Sequence, residues 1–226
     1  MNYTDLIKLY PSLFTNEQAY IQVITKQEII TSWQENKRIE LKKKQQPPEW
    51  AEIGVILNDP YILVIRDLVE FPGGTLGGYF RVLNQADLLG GQGVVVLGEM
   101  NGRFLLLNQY RHPVRSWGFE VPRGFGQPGT PAEEQAKNEI EEEVKGEIAE
   151  LIDLGTYYSN TGLEGNKVSL FYAKLKSVGQ PAQQEGIESY FWVSLVELEE
   201  MIASAKITDG FTIAAYTRAK LCGLLG

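Results

Sequence analysis

The chain has 226 residues, 43% of them hydrophobic and 22% charged, the balance of a globular protein that buries a core in one domain, or one domain with an appendage. Its formal net charge of -8 repels nucleic acid backbones, and the one basic run, Lys42, Lys43 and Lys44, is too short to reverse that, so no nucleic acid partner is expected. A single cysteine, Cys222, and a single histidine, His112, exclude an internal disulfide and the usual zinc site of four nitrogen and sulfur ligands, so a bound metal is expected on oxygen: Mg²⁺, Mn²⁺ or Ca²⁺.

Residues 1–46 read as helical, with Ile29, Ile30 and Trp33 at helical spacing, and the N-terminus carries both charge signs without an apolar signal core. Pro47 and Pro48 mark a boundary, because proline ends a helix and extends the residue before it. The expected division is therefore an N-terminal helical extension over 1–47 and a main domain over 48–226. From residue 54 the pattern turns to short β-rich runs at 61–66, 79–84, 93–98 and 103–110. The last two flank Asn101 and Gly102, a pair suited to the positive φ angles of a tight hairpin. Gly90, Gly91 and Gly93 lead into a strand and not a helix, so they are not a dinucleotide loop. None of the apolar runs approaches the roughly 20 residues that span a bilayer, and a cytoplasmic protein without a membrane partner is expected.

One helix follows. Thr130, Pro131, Ala132 and Glu133 have the form of a capping box with proline at the first helical position, and Gly146 is the expected left-handed stop. At 100° per residue, Ala136, Ile140 and Val144 form the buried stripe, with Glu139, Glu143 and Glu142 on the arc beside it. Three carboxylates at i, i+3 and i+4 repel one another, and near a helix C-terminus each costs roughly 0.3–1 kcal/mol more. A divalent cation reverses that sign. The blander alternative, a solvated acidic face, accounts well for Glu133, Glu134, Glu147 and Glu150. In front of the helix, residues 119–125 form a strand and a Pro-Gly loop able to bring backbone carbonyls and Glu120 towards the same arc. Strands are then expected near 155–158, 167–175 and 189–193, and helices over 195–205 and 212–221. Strands, one central helix, more strands and final helices describe an α+β protein with a mixed sheet.

Gly124 with Glu139, Ile140, Glu142 and Glu143 resembles the Nudix box, with Thr130, Asn138 and Lys145 standing where its first glutamate, its arginine and its second glycine belong. Residues 109–111, 119–124, 159–173, 191–193 and 207–214 are similar to the ADP-ribose pyrophosphatase branch. The resemblance implies a Nudix-like α/β/α sandwich and Mg²⁺-dependent (alternatively Mn²⁺-dependent) cleavage of a nucleoside diphosphate-linked small molecule, ADP-ribose or a nucleotide sugar being typical. It implies a homodimer as well. The metal ligands it implies are Glu139 and Glu143 principally, with Glu142 ligating or orienting and the Arg123 main-chain carbonyl completing the site. Arg111, Arg115 and Glu120 form the substrate-binding set, each arginine having an ordinary surface ion pair as its alternative reading. Glu164 is the only carboxylate of the 161–167 loop, as readily a solvated loop residue as a general base; Asn166 is aligned with the family's loop glutamate. Trp117, Phe119 and Phe125 are candidates for base stacking or for core. Cys222 is expected to be buried. The alternative function is a non-catalytic module that binds a nucleotide metabolite.

Overall fold

The computed structural model describes residues 1–15 and 17–225. The chain forms two compact units, one of residues 1–88 with 160–165 and one of residues 89–159 with 166–226. Pro47 and Pro48 lie inside the first unit. The division falls after Leu88 because strands β2 (Gly54–Asn58), β3 (Ile62–Glu70) and β4 (Leu76–Asn84) pair with one another, and with β1 (Gln22–Val23), in a four-stranded sheet of their own.

The first 46 residues are less uniformly helical than their sequence suggests. Helices α1 (Tyr3–Leu9) and α2 (Gln27–Lys43) are present, with β1 between them. The unit's core gathers Leu6, Phe14, Leu63, Ile65 and Leu83. Beside it the buried carboxylate of Asp67 accepts from the Tyr3 hydroxyl at 2.6 Å and from Arg81 Nε at 2.6 Å, which satisfies a charge that burial alone makes costly. A short helix, α3 (Gln85–Leu88), ends the unit. Trp33, Trp50, Arg66 and Phe80 line an open groove of about 520 Å³ that contains none of the expected site residues.

The second unit is built on a seven-stranded mixed sheet. Its strands are β5 (Gly93–Met100), β6 (Arg103–Arg111), β7 (Ser116–Glu120), β8 (Arg123–Gly124), β9 (Glu147–Tyr157), β10 (Val168–Ser177) and β11 (Ile187–Val193). The order is β11-β6-β5-β10-β9, with β7 on β6 and β8 on β5. Strands β5 and β10 run parallel, and the other pairs are antiparallel. Asn101 and Gly102 take φ angles of 54° and 76°, so the expected hairpin between β5 and β6 forms as read.

Period-two alternation sorts the strand residues onto two faces. Val94, Val96, Leu105, Leu107 and Phe171 pack with Ala136, Ile140 and Val144 of α4 (Ala132–Val144). Val95, Leu97, Phe104, Leu106 and Leu170 pack with Leu198 and Met201 of α5 (Leu195–Ala203), and with Ala215 and Ala219 of α6 (Gly210–Leu221). The result is the expected sandwich, a mixed sheet with helices on both faces. Among the described residues no helix is long and apolar enough to cross a membrane. Cys222 is exposed, contrary to expectation, because it caps α6 beyond the last helical turn.

Candidate functional site

The carboxylates sit on α4, and the stripe that buries the helix places them. Ala136, Ile140 and Val144 are fully buried, while Gln135, Glu139 and Glu143 form a second, polar row one position towards the N-terminus and are also nearly inaccessible. Glu139 is 6% exposed and Glu143 only 2%. The helix ends differ from expectation. Pro131 takes the N-cap without a side-chain bond, so the Thr130 capping box does not form. The left-handed stop is Lys145, at φ 50° and ψ 40°, and not Gly146. Gly146 serves a packing purpose, since a Cβ there would meet Ile140 Cγ2 at 2.8 Å.

The expected trio resolves into a buried pair and one exposed member, Glu142. Among the described residues no group of three His, Cys, Asp or Glu side chains is arranged to hold a metal ion. Burial drives Glu139 up to about 7, with the charges of Glu142 and Glu185 adding to it against a hydrogen bond from Gln135. Burial lifts Glu143 to about 9, helped by the charge of Glu139 and opposed by the Arg123 amide and the charge of Arg111. Each carboxylate has one fixed neutral donor. Gln135 Nε2 donates to Glu139 Oε1 at 2.6 Å, and the Arg123 main-chain N–H donates to Glu143 Oε2 at 3.1 Å. Gly124 is a steric requirement, because a Cβ there would overlap the Glu139 carboxylate.

This donor set fits a hard divalent cation. Among the described residues neither of the two adjacent buried carboxylates forms an ion pair, the charge of Arg111 only partly offsets their repulsion, and the buried Gln135 Oε1 has no partner. Mg²⁺ is commonly held by one or two protein carboxylates, with waters and substrate phosphates filling the remaining positions. Glu139 and Glu143 would hold it here.

Next to the pair is a cluster of basic and acidic groups. Glu120, 2% exposed, is gripped by Arg111 on one oxygen and by Arg123 NH2 at 3.5 Å on the other. It therefore orients the two guanidiniums and has little surface to offer a substrate. Arg123 also reaches Asp209 Oδ1 at 3.4 Å and lies 4.8 Å from the centroid of the Phe211 ring. Arg115 sits in an exposed turn at φ 55°, its Nη1 2.9 Å from His112 Nδ1. Glu164 belongs to the first unit, in an isolated bridge with Val82. Trp117 and Phe125 are exposed, whereas Phe119 packs edge-on against Phe191 at 5.1 Å.

Two site residues escaped the sequence reading. Gln135 precedes Glu139 by four residues, so helical spacing alone was signal enough. Glu185 raises both carboxylates from an exposed position just before β11. Its backbone is fixed by Gln109 Nε2, which donates to the Glu185 carbonyl at 3.0 Å. No local pattern in the sequence announces that contact.

The NUDIX domain family model matches residues 89–211, more than half of the chain. The chain belongs to the NUDIX family. The matched segment contains the buried pair, Gly124 and the Arg111–Glu120–Arg123 cluster. Among solved structures, a crystal structure of an ADP compounds hydrolase is 17% identical, covering 75% of this chain and 91% of that one with a TM-score of 0.64, a likeness of fold. No curated protein matches the sequence.

Proposed function

We propose that this NUDIX protein is a Mg²⁺-dependent hydrolase that cleaves a nucleoside diphosphate linked to a second moiety, of the ADP-ribose or nucleotide-sugar type, releasing a nucleoside monophosphate. The observation that carries the proposal is the buried Glu139–Glu143 pair beside two braced arginines, within a NUDIX domain. A divalent cation bound there would neutralise diphosphate charge and lower the pKa of a water. Glu139 and Glu143 are its side-chain ligands, the Arg123 carbonyl contributes, and exposed Glu142 ligates or orients from the rim. Arg111, held by Glu120, presents its guanidinium to phosphate oxygens, and Arg115 is a second contact from its turn. Glu185 is the candidate general base on the same unit, and Glu185→Gln tests it, since loss of the base should lower kcat with KM unchanged. Assembly as a cytoplasmic homodimer is part of the proposal, and light scattering tests the dimer.

The deciding experiment is a panel of nucleoside diphosphate compounds incubated with and without Mg²⁺, with monophosphate release measured. Metal-dependent release supports the reading. A second reading, a non-catalytic nucleotide-binding module, is favoured by Thr130 and Asn138 at the box's glutamate and arginine positions and by Asn166 at the loop acid position. Tight binding across the panel without monophosphate release would establish that one instead.

A further inference from the structure

We infer that Asp209 and Thr212, at the start of the last helix, are positioning residues for the carboxylate pair, an inference that rests on the metal and diphosphate reading above. Asp209 caps α6 in the ordinary way, one side-chain oxygen accepting from the Thr212 N–H at 2.8 Å. The Thr212 hydroxyl goes further. It donates to the same Asp209 oxygen at 2.7 Å and accepts from the Val121 N–H at 3.1 Å. Thr212 and Val121 are both fully buried.

The geometry matters because of where Val121 lies. It falls between β7 and β8, just before Pro122, where neither strand's ladder continues. Every buried N–H needs an acceptor. The Val121 N–H finds one on α6, Pro122 has no N–H, and the Arg123 N–H finds one on α4, at Glu143 Oε2. The two amide donors of this three-residue stretch are thus both spent on side chains, from helices on opposite faces of the sheet. Pro122 offers its carbonyl to the Val96 N–H at 2.9 Å, which pins the middle of the stretch. The second Asp209 oxygen lies 3.4 Å from the Arg123 guanidinium, so the cap holds the same residue by its side chain. A helix cap with only a local role would need neither the Val121 nor the Arg123 contact. Thr212 and Asp209 together fix where the Arg123 amide meets Glu143, and with it the orientation of a metal-binding carboxylate.

Supporting partners of metal ligands characteristically cost roughly 10- to 100-fold in metal affinity or activity when removed. The test compares Thr212→Val, Thr212→Ser and Asp209→Asn with Ser194→Ala, which removes the cap of α5 and touches none of this network. Two readouts are taken on the full chain: hydrogen exchange at the Val121 and Arg123 amides by NMR, and Mn²⁺ affinity by electron paramagnetic resonance. Thr212→Val should speed exchange at both amides and weaken Mn²⁺ binding by about tenfold or more, and Thr212→Ser should restore both. Asp209→Asn keeps a capping side chain but lacks the charge opposite Arg123, and it carries the test if Thr212→Val does not fold. Ser194→Ala should change neither readout. Unchanged Arg123 exchange in the Thr212 and Asp209 variants overturns the inference. If the wild type binds no Mn²⁺, the metal reading fails, and Arg123 exchange still decides the positioning claim.

Discussion

Glu139 and Glu143 are costly residues without a cation, and that cost distinguishes a metal site from an acidic surface. On a helix turning about 100° per residue, Glu143 lies about 60° from Ile140, Glu139 about 100° and Glu142 about 160°. The observed burial follows that order, 2% and 6% exposed for the first two and open for the third. The angular plot therefore ranks the three glutamates by burial as well as placing them on one arc. Glu143→Gln and Glu139→Gln are each expected to reduce Mg²⁺-dependent monophosphate release by at least roughly 100-fold, the upper end of what loss of a mere supporting partner costs. Glu142→Gln should cost less than either, and steady-state rates across the three variants check the ranking. Gly124→Ala tests the fit from the other side. Its new Cβ overlaps the Glu139 carboxylate, so turnover should fall by about tenfold or more while stability drops by about 1–3 kcal/mol from overpacking.

Helix α4 shows what sequence pattern reveals about an element and where it stops. Its apolar stripe was legible because Ala136, Ile140 and Val144 repeat at the helical period, and the hairpin strands were legible as short β-rich runs flanking Asn101 and Gly102. Its ends were not. Pro131 has φ -59° and ψ 147°, so the helix starts one residue later than the Thr130 box implies. At the other end Lys145 adopts the left-handed conformation that glycine takes without strain, and Gly146 is kept for contact with Ile140. Local pattern does not distinguish a glycine needed for its dihedral angles from one needed for space. Lys145→Gly should stabilise the protein by roughly 0.5–1 kcal/mol, because the left-handed cost to a side-chain-bearing residue exceeds what its exposed ion pair with Glu141 contributes. Ile140→Ala should cost about 2–5 kcal/mol as a buried large-to-small change. Denaturant midpoints of the two variants check both signs.

At the scale of the whole molecule, a mixed sheet with helices packed on it could be read from the order of elements, and helices on both of its faces were implied by the family resemblance. The division into units could not, since it depends on β2, β3 and β4 pairing among themselves, and residues 160–165 join the first unit from far along the chain. Glu185 likewise acts on the carboxylate pair from a distant point in the chain. The buried pair also gives the protein a pH dependence of definite sign. Both folded-state values, about 7 for Glu139 and about 9 for Glu143, lie above the ordinary carboxylate value of 4.5. Between that value and 9 the folded state holds more protons than the unfolded chain, so the contribution of the pair to stability declines as pH rises. The metal-free protein should accordingly melt at progressively lower temperature from pH 5 to pH 9, and Glu143→Gln should flatten most of that slope. A cation favours the ionised pair and displaces its protons, so its binding strengthens as pH increases. The rise in Tm produced by saturating Mg²⁺ should therefore be larger at pH 9 than at pH 6, and chelation should abolish it at both. Calorimetric melting curves at the two pH values, with Mg²⁺ and with chelator, measure this directly. An Mg²⁺ effect that is equal at both, or larger at pH 6, would show that the ion binds somewhere other than this pair.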